Sequence, residues 1–232
     1  MSSERYIIAS HKLRQFEHKL LPKDFNAICA VHQWISCFVG APNSELGRTG
    51  DVCPFIRLGL TKHQGIYFVA WPSKVEEIHE AVQLVRELVS DFNSLPPIGH
   101  PERNFKALIL VSSSCNSESE ARLVEKLQLS LKSEIVGRGM MIGQFYPNCA
   151  EPGLHNAQFR PLQSPYPLLV LRYMQLADLP FLVEKQEYIA RYCNKFQLTS
   201  PSILEQRLIL SGISKLPKDW QKWVNSISWP IN

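Results

Sequence analysis

The sequence predicts an α+β fold: an open mixed sheet with helices packed on it, plus helical extensions at the N- and C-termini. Three observations carry that expectation. Short β-type apolar runs alternate with amphipathic stretches of helical period through the middle of the chain. Hydrophobic residues make up 45 % and charged residues 20 % of the 232 residues, enough for a sizeable core without metal or disulfide staples. No repeat, low-complexity tract or long linker divides the chain, so we expect one domain over 1–232, with its core at about 45–182 and a helical extension over 183–232.

The elements follow in order. Over Glu4–Leu21, the apolar residues Ile7, Ile8, Leu13, Phe16, Leu20 and Leu21 suit an amphipathic helix ending near Pro22. A second helix runs from Asp24 to about Val39. "GAPNSELGRTGDVCP" is turn-rich and reads as a loop. "FIRLGLTKHQGIYFVAW" reads as two strands joined around Lys62–Gly65. "PSKVEEIHEAVQLVRELVSDF" is the strongest helix. Ser73 and Glu76 are spaced as a capping box, and Val75, Ile78, Val82, Val85 and Val89 lie on one face with Leu88 beside it. "KALILVSS" is a buried strand, and "SESEARLVEKLQLSL" is a helix whose acidic first turn suits the helix dipole. "GMMIGQFY" and "YPLLVLRYM" are strands, and two or three helices follow Glu184, with breaks at Ser200–Pro201 and Pro217.

Composition narrows the function class. The net charge of +4 is mild and no Lys/Arg run occurs, so nucleic acid is not an expected partner. No apolar stretch approaches the roughly 20 residues of a membrane span. The N-terminus lacks the apolar core and cleavage site of a signal peptide, so a cytoplasmic, reducing compartment is expected. Cys29, Cys37, Cys53, Cys115, Cys149 and Cys193 form no CxxC pair or zinc-type spacing and read mostly as small buried hydrophobes.

No dinucleotide fingerprint, phosphate loop, HExxH or GxSxG is present. Catalytic residues are therefore not assigned. His11 and His18 read as surface residues, His32 as a satisfied boundary histidine, His79 as partly exposed and His63 as a turn residue. His100 and His155 lie in loops, where ligand-contacting groups concentrate. Cys53, at a loop–strand junction in "DVCPF", is either a packing residue or a thiolate activated by Arg48 or Arg57. The longest connection runs from Pro147 to Tyr166, punctuated by Pro147, Pro152, Pro161 and Pro165. Connections of about 20 structureless residues are usually functional or disordered. Phe145, Leu154, Phe159, Leu162 and Tyr166 favour order here. Arg160 and Arg172 either meet an anionic group or satisfy loop carbonyls and surface carboxylates. Trp220, Trp223 and Trp229 either anchor a homodimer or seal a helix against its own core.

"CPF" at Cys53–Phe55, "GQFYP" at Gly143–Pro147 and "FRPLQSPYPLLVLRYM" at Phe159–Met174 resemble an uncharacterised bacterial and fungal domain family. Its members carry C-P-F, then G-x-F-H-P, then N-x-x-F-R-P-L-x-S-P-x-P-L-L-x-x-R-x-M, often among biosynthetic genes. The match covers about residues 45–182. The pattern is in turn distantly similar to the YqcI/YcgG-like heme proteins, some of which are N-oxygenases on amino-acid substrates. That resemblance implies a tailoring enzyme of small-molecule metabolism, a heme-dependent oxidase or oxygenase acting on an amino-acid-like substrate. Tyr146 stands where the resembled pattern has histidine. It would be the axial iron ligand as a phenolate, with His155 or Cys53 as the other choices and Arg57, Arg160 or Arg172 meeting the propionates. The alternative is a non-catalytic binding or scaffolding protein with a degenerate cofactor pocket.

Overall fold

A computed structural model of the chain describes residues 5–71, 78–113, 118–212 and 216–229. The proposed Ser73–Glu76 capping box, Val75 and Cys115 lie outside the described residues. The chain divides into two compact units, residues 1–131 with 142–173, and residues 132–141 with 174–232.

The first unit is built on a five-stranded mixed sheet of order β1-β2-β3-β5-β4. Its strands are β1 (Ile8–Ala9), β2 (Ile66–Ala70), β3 (Ala107–Val111), β4 (Met140–Phe145) and β5 (Leu168–Tyr173). β2 and β3 are parallel, Ile66 opposite Ala107 and Ala70 opposite Val111. β1 and β5 flank them antiparallel. The central strands are apolar on both faces: all five residues of β3 are buried. Strands buried on both faces need that composition. The helices up to β4 are α1 (Pro22–Trp34), α2 (Ile56–Thr61), α3 (Ile78–Ser94) and α4 (Glu118–Gly137), of which α4 continues past Leu131 into the second unit. α1 and α2 pack against β2. The expected mixed sheet with packed helices is therefore present.

α3 buries Ala81, Leu84, Val85, Leu88, Val89 and Phe92. That stripe recurs at three and four residues and is rotated from the expected one: Ile78 is exposed and Val82 only half-buried. Each fully buried large side chain contributes roughly 1.5–3 kcal/mol.

Two expected elements differ. Ile8 does not continue a helix; it pairs with Phe68 as the edge strand β1, and a 3₁₀ turn over Ser10–Phe16 follows. β-branched Ile7 and Ile8 fit an extended, half-buried edge better than a helix interior. The segment 56–61, expected as the first strand of a hairpin, is the helix α2. Ile56 and Gly59 are buried, Leu60 is half-buried and Leu58 is exposed. That spacing of three and four is helical, whereas a half-buried strand would bury alternate residues. Gly59 permits the helix to approach the backbone closely, since a Cβ there would lie 2.5 Å from the Phe105 carbonyl oxygen.

Lys106, just before β3, is buried at 1 % exposure. Its ammonium donates to the Leu95 carbonyl at 2.6 Å, just past the end of α3, and lies over the rings of Phe92 and Tyr173.

The second unit is helical, with α5 (Gln186–Lys195), α6 (Pro201–Leu210) and α7 (Trp220–Ser226). The breaks fall where Ser200–Pro201 and Pro217 place them. Its core gathers Met174, Leu179, Leu182, Ile189, Tyr192, Leu204, Leu208 and Trp220. Trp220 is buried, and Trp223 and Trp229 pack partly buried against the same cluster, so all three contribute to this unit's own core. No helix among the described residues is long and apolar enough to cross a membrane.

Candidate functional site

A convergence of polar side chains in the first unit forms where α1 loses its regular period. After Trp34 the backbone widens into a π-helical turn over Ile35–Val39, closed by Gly40 N–H donating to the Ile35 carbonyl at 2.8 Å. Such turns are rare and frequent at functional sites, because they splay the side chains of one helix face. The freed end is tied from outside. Cys53 N–H donates to Val39 O at 2.7 Å, and Arg57 Nε donates to Gly40 O at 3.1 Å. The second guanidinium nitrogen, Nη2, pairs with Asp51.

Beside this turn lies an open cavity of about 390 Å³ lined by Ser10, His11, His32, Ser36, Gly40, Arg57, Leu60 and Thr61. His32 and Ser36 are one helical turn apart and share a face. Ser10 is buried and His32 half-buried, so they form the floor, while His11, Arg57 and Thr61 are exposed at the rim. Burial pushes the His32 imidazole below its ordinary value of 6.5, which keeps it neutral at physiological pH. Its ring meets Phe68 edge-on with centroids 5.9 Å apart. Neither its ring nitrogens nor Arg57 Nη1 have a hydrogen-bond partner among the described residues. The Ser36 and Thr61 hydroxyls back-bond to the His32 and Arg57 carbonyls, which fixes their oxygens and leaves lone pairs facing outward. The guanidinium Nη1 and an imidazole N–H can together hold an oxyanion, the imidazole can exchange a proton with it, and the hydroxyl lone pairs can accept from an O–H or N–H of the same ligand.

The long connection is ordered. Tyr146–Cys149 forms a tight turn, with Cys149 N–H donating to Tyr146 O at 3.2 Å and Asn148 at φ 62°. Proline followed by a left-handed asparagine is the type II pattern. Further along, Gly153 N–H donates to Phe159 O at 2.8 Å, and Asn156 Nδ2 reaches Glu45 O at 2.7 Å. Gly47, at φ 76°, lies against the His155 backbone. The loop is thus clasped to the segment Asn43–Gly47.

The six expected site residues are dispersed. Arg57 lines the cavity, and Cys53, four residues earlier, is half-buried against the main core. His155 is exposed on the clasped loop. Arg160 donates through Nη1 to the carbonyls of Ala157 and Phe159. Arg172 is in register with Ala107 at the start of β3, whereas Leu168, where the loop re-enters the sheet, is opposite Val111 at its end. Four residues of strand separate those edges by roughly 13 Å.

Tyr146 begins the tight turn at the start of that loop. Burial raises its hydroxyl above the ordinary phenol range, as do a hydrogen bond with Cys149 and the nearby carboxylates of Glu125 and Glu151. All of these oppose a phenolate. Among the described residues, no group of three or more His, Cys, Asp or Glu side chains could hold a metal ion. Cys29, Cys37, Cys53, Cys149 and Cys193 are free thiols.

Sequence reading missed His32, Ser36, Ser10 and Thr61 as a set. The His32–Ser36 spacing was legible. The π-turn that opens the face and the chain reversal that brings Arg57 to it were not.

Comparison with curated proteins and with solved structures found no match to this chain. A family model, the domain of unknown function DUF6875, matches residues 28–207, which include the π-turn, Arg57 and the whole clasped loop, and the chain belongs to that family.

Proposed function

We propose that this chain is a small-molecule protein of the tailoring type whose cavity at the π-turn of α1 takes the oxyanion, carboxylate or phosphate, of a small metabolite. The observation that carries this reading is the convergence of Arg57 and half-buried neutral His32 in one cavity, with the Ser36 and Thr61 hydroxyls beside them as acceptors for a ligand O–H or N–H. A volume of about 390 Å³ lies at the low end of small-molecule sites, roughly 300–1,000 Å³, which favours a compact ligand. The neutral imidazole supports acid–base chemistry on that ligand, with His32 accepting or returning a proton beside the charge held by Arg57.

Thermal-shift screening against inorganic phosphate, acetate, pyruvate and succinate tests the reading. At least one is expected to raise the melting temperature of the wild-type protein and to lose that effect in Arg57→Met. An equal rise in both proteins would remove Arg57 from the site. A heme-dependent reaction rests on the motif resemblance alone. Titration with hemin tests it: a Soret band that changes in Tyr146→Phe would support that reading, and no band would remove it.

A further inference from the structure

A second cavity lies on the other side of the same helix. Trp34 and Phe38 are each two residues from His32 and Ser36, about 200° around a helix, so they face away from the first cavity. They line a cleft of about 320 Å³ with Glu45, Gln158, Phe159, Arg160 and Gln163. We propose that this cleft binds a single-ring aromatic acid that carries a cationic or N–H donor group beside its carboxylate.

The walls determine the ring. Trp34 stacks on Phe38 with centroids 6.0 Å apart and planes 21° apart, and Phe159 closes against Phe38 at 5.9 Å. Trp34 and Phe38 are only half-buried, so they keep an aromatic surface open to a ligand. Aromatic rings prefer offset-stacked and edge-on partners, both of which such a surface offers.

Arg160 determines the acid. Its Nη1 is spent on the carbonyls of Ala157 and Phe159, at 2.6 and 3.1 Å, which fixes the plane of the guanidinium. Among the described residues the Nε–Nη2 edge has no partner, and that edge matches a carboxylate bidentately. Glu45 determines the third group. It is exposed, and its carboxylate has no partner among the described residues. A plain anion would be repelled there, while a ligand with an ammonium or N–H beside its carboxylate satisfies Arg160 and Glu45 together. The clasp between Asn156 and Glu45 O, at 2.7 Å, holds these two walls in one geometry before any ligand arrives.

The test uses the full chain and three probes that do not absorb where tryptophan is excited: phenylalanine, phenylacetate and phenethylamine. Phenylalanine is expected to change the tryptophan fluorescence saturably, with phenylacetate at least tenfold weaker and phenethylamine weaker still. Trp34→Phe is expected to remove the signal. Arg160→Met is expected to weaken phenylalanine binding at least tenfold, and Glu45→Gln to erase the preference over phenylacetate, with unchanged melting curves showing that the variants fold. No saturable binding of any probe up to about 10 mM would overturn the proposal, since even millimolar affinity is only about −4 kcal/mol. Equal phenylalanine binding in wild type and Arg160→Met, or no preference among the probes, would overturn it as well. The oxyanion cavity on the other helix face stands or falls separately, because Trp34 and Arg160 do not line it.

Discussion

Replacing Lys106 by methionine should reveal a charge that the fold holds at a cost. The Lys106 ammonium has three favourable partners, the Leu95 carbonyl at 2.6 Å and the rings of Phe92 and Tyr173 at 4.7 and 5.5 Å. Burial outweighs them, and Arg103 nearby adds like-charge repulsion, so the group is pushed down from 10.5 to about 8. At about 1.4 kcal/mol per pH unit, that displacement is worth about 3 kcal/mol. Between pH 8 and 10.5 the unfolded chain binds the proton and the folded chain has released it, so stability rises with pH across that window. Below pH 8 both states are protonated and the full cost is present. Urea unfolding of wild type and Lys106→Met at about pH 7.5 and pH 10 isolates this group from the other residues that titrate there. Wild type is expected to gain about 2 kcal/mol relative to the variant between those two points. Parallel pH dependences would refute the reasoning and show that Lys106 keeps an ordinary affinity for its proton.

Further outcomes follow from particular contacts. Gly47→Ala would place a Cβ 2.8 Å from the His155 carbonyl at a φ of 76°, so it is expected to cost about 1–3 kcal/mol in chemical denaturation. The same substitution should speed proteolysis within residues 147–166 by loosening the clasp. His32 has a lowered affinity for its proton in the fold, so the unfolded state takes the proton first as pH falls below about 6.5 and stability declines there. His32→Leu is expected to flatten that acid limb in melting temperature against pH, and an unchanged limb would assign it to other groups. Trp220→Ala, in the core of the second unit, is expected to cost about 3–5 kcal/mol, read as loss of the helical unfolding transition. A loss below about 1 kcal/mol would return the C-terminal tryptophans to an interface role.

The sequence disclosed the sheet where its strands are apolar on both faces. β3 and β5 come from runs, "ALILV" and "LLVLRY", that only a covered strand can carry. The helices α3 and α4 were legible from period and dipole, and α5 to α7 from proline breaks. The misreadings have one cause. Short apolar segments have no decisive period, so "FIRLGL" passed for a strand until Gly59 met the Phe105 carbonyl, and "YIIAS" passed for a helix until Ile8 met Phe68. The candidate site was less legible still. Arg57 and Arg160 were identified from residue chemistry, but their partners lie far away in sequence: Gly40 and His32 for one, Trp34 and Phe38 for the other. Local pattern carries no information about such meetings. The widening of α1 into a π-turn is a property of its packing, invisible in the run "ISCFV".

The claim that the π-turn cavity holds an oxyanion is tested most directly at the His32 ring. The His32 imidazole proton signal, assigned by its loss in His32→Gln, can be followed by NMR as inorganic phosphate and then pyruvate are added to the full chain. A saturable shift of that signal with at least one of them is expected in wild type, with the shift abolished in Arg57→Met and preserved in Arg160→Met. A His32 signal that stays fixed with both anions, or that moves identically when Arg57 is replaced, would contradict the assignment of this cavity.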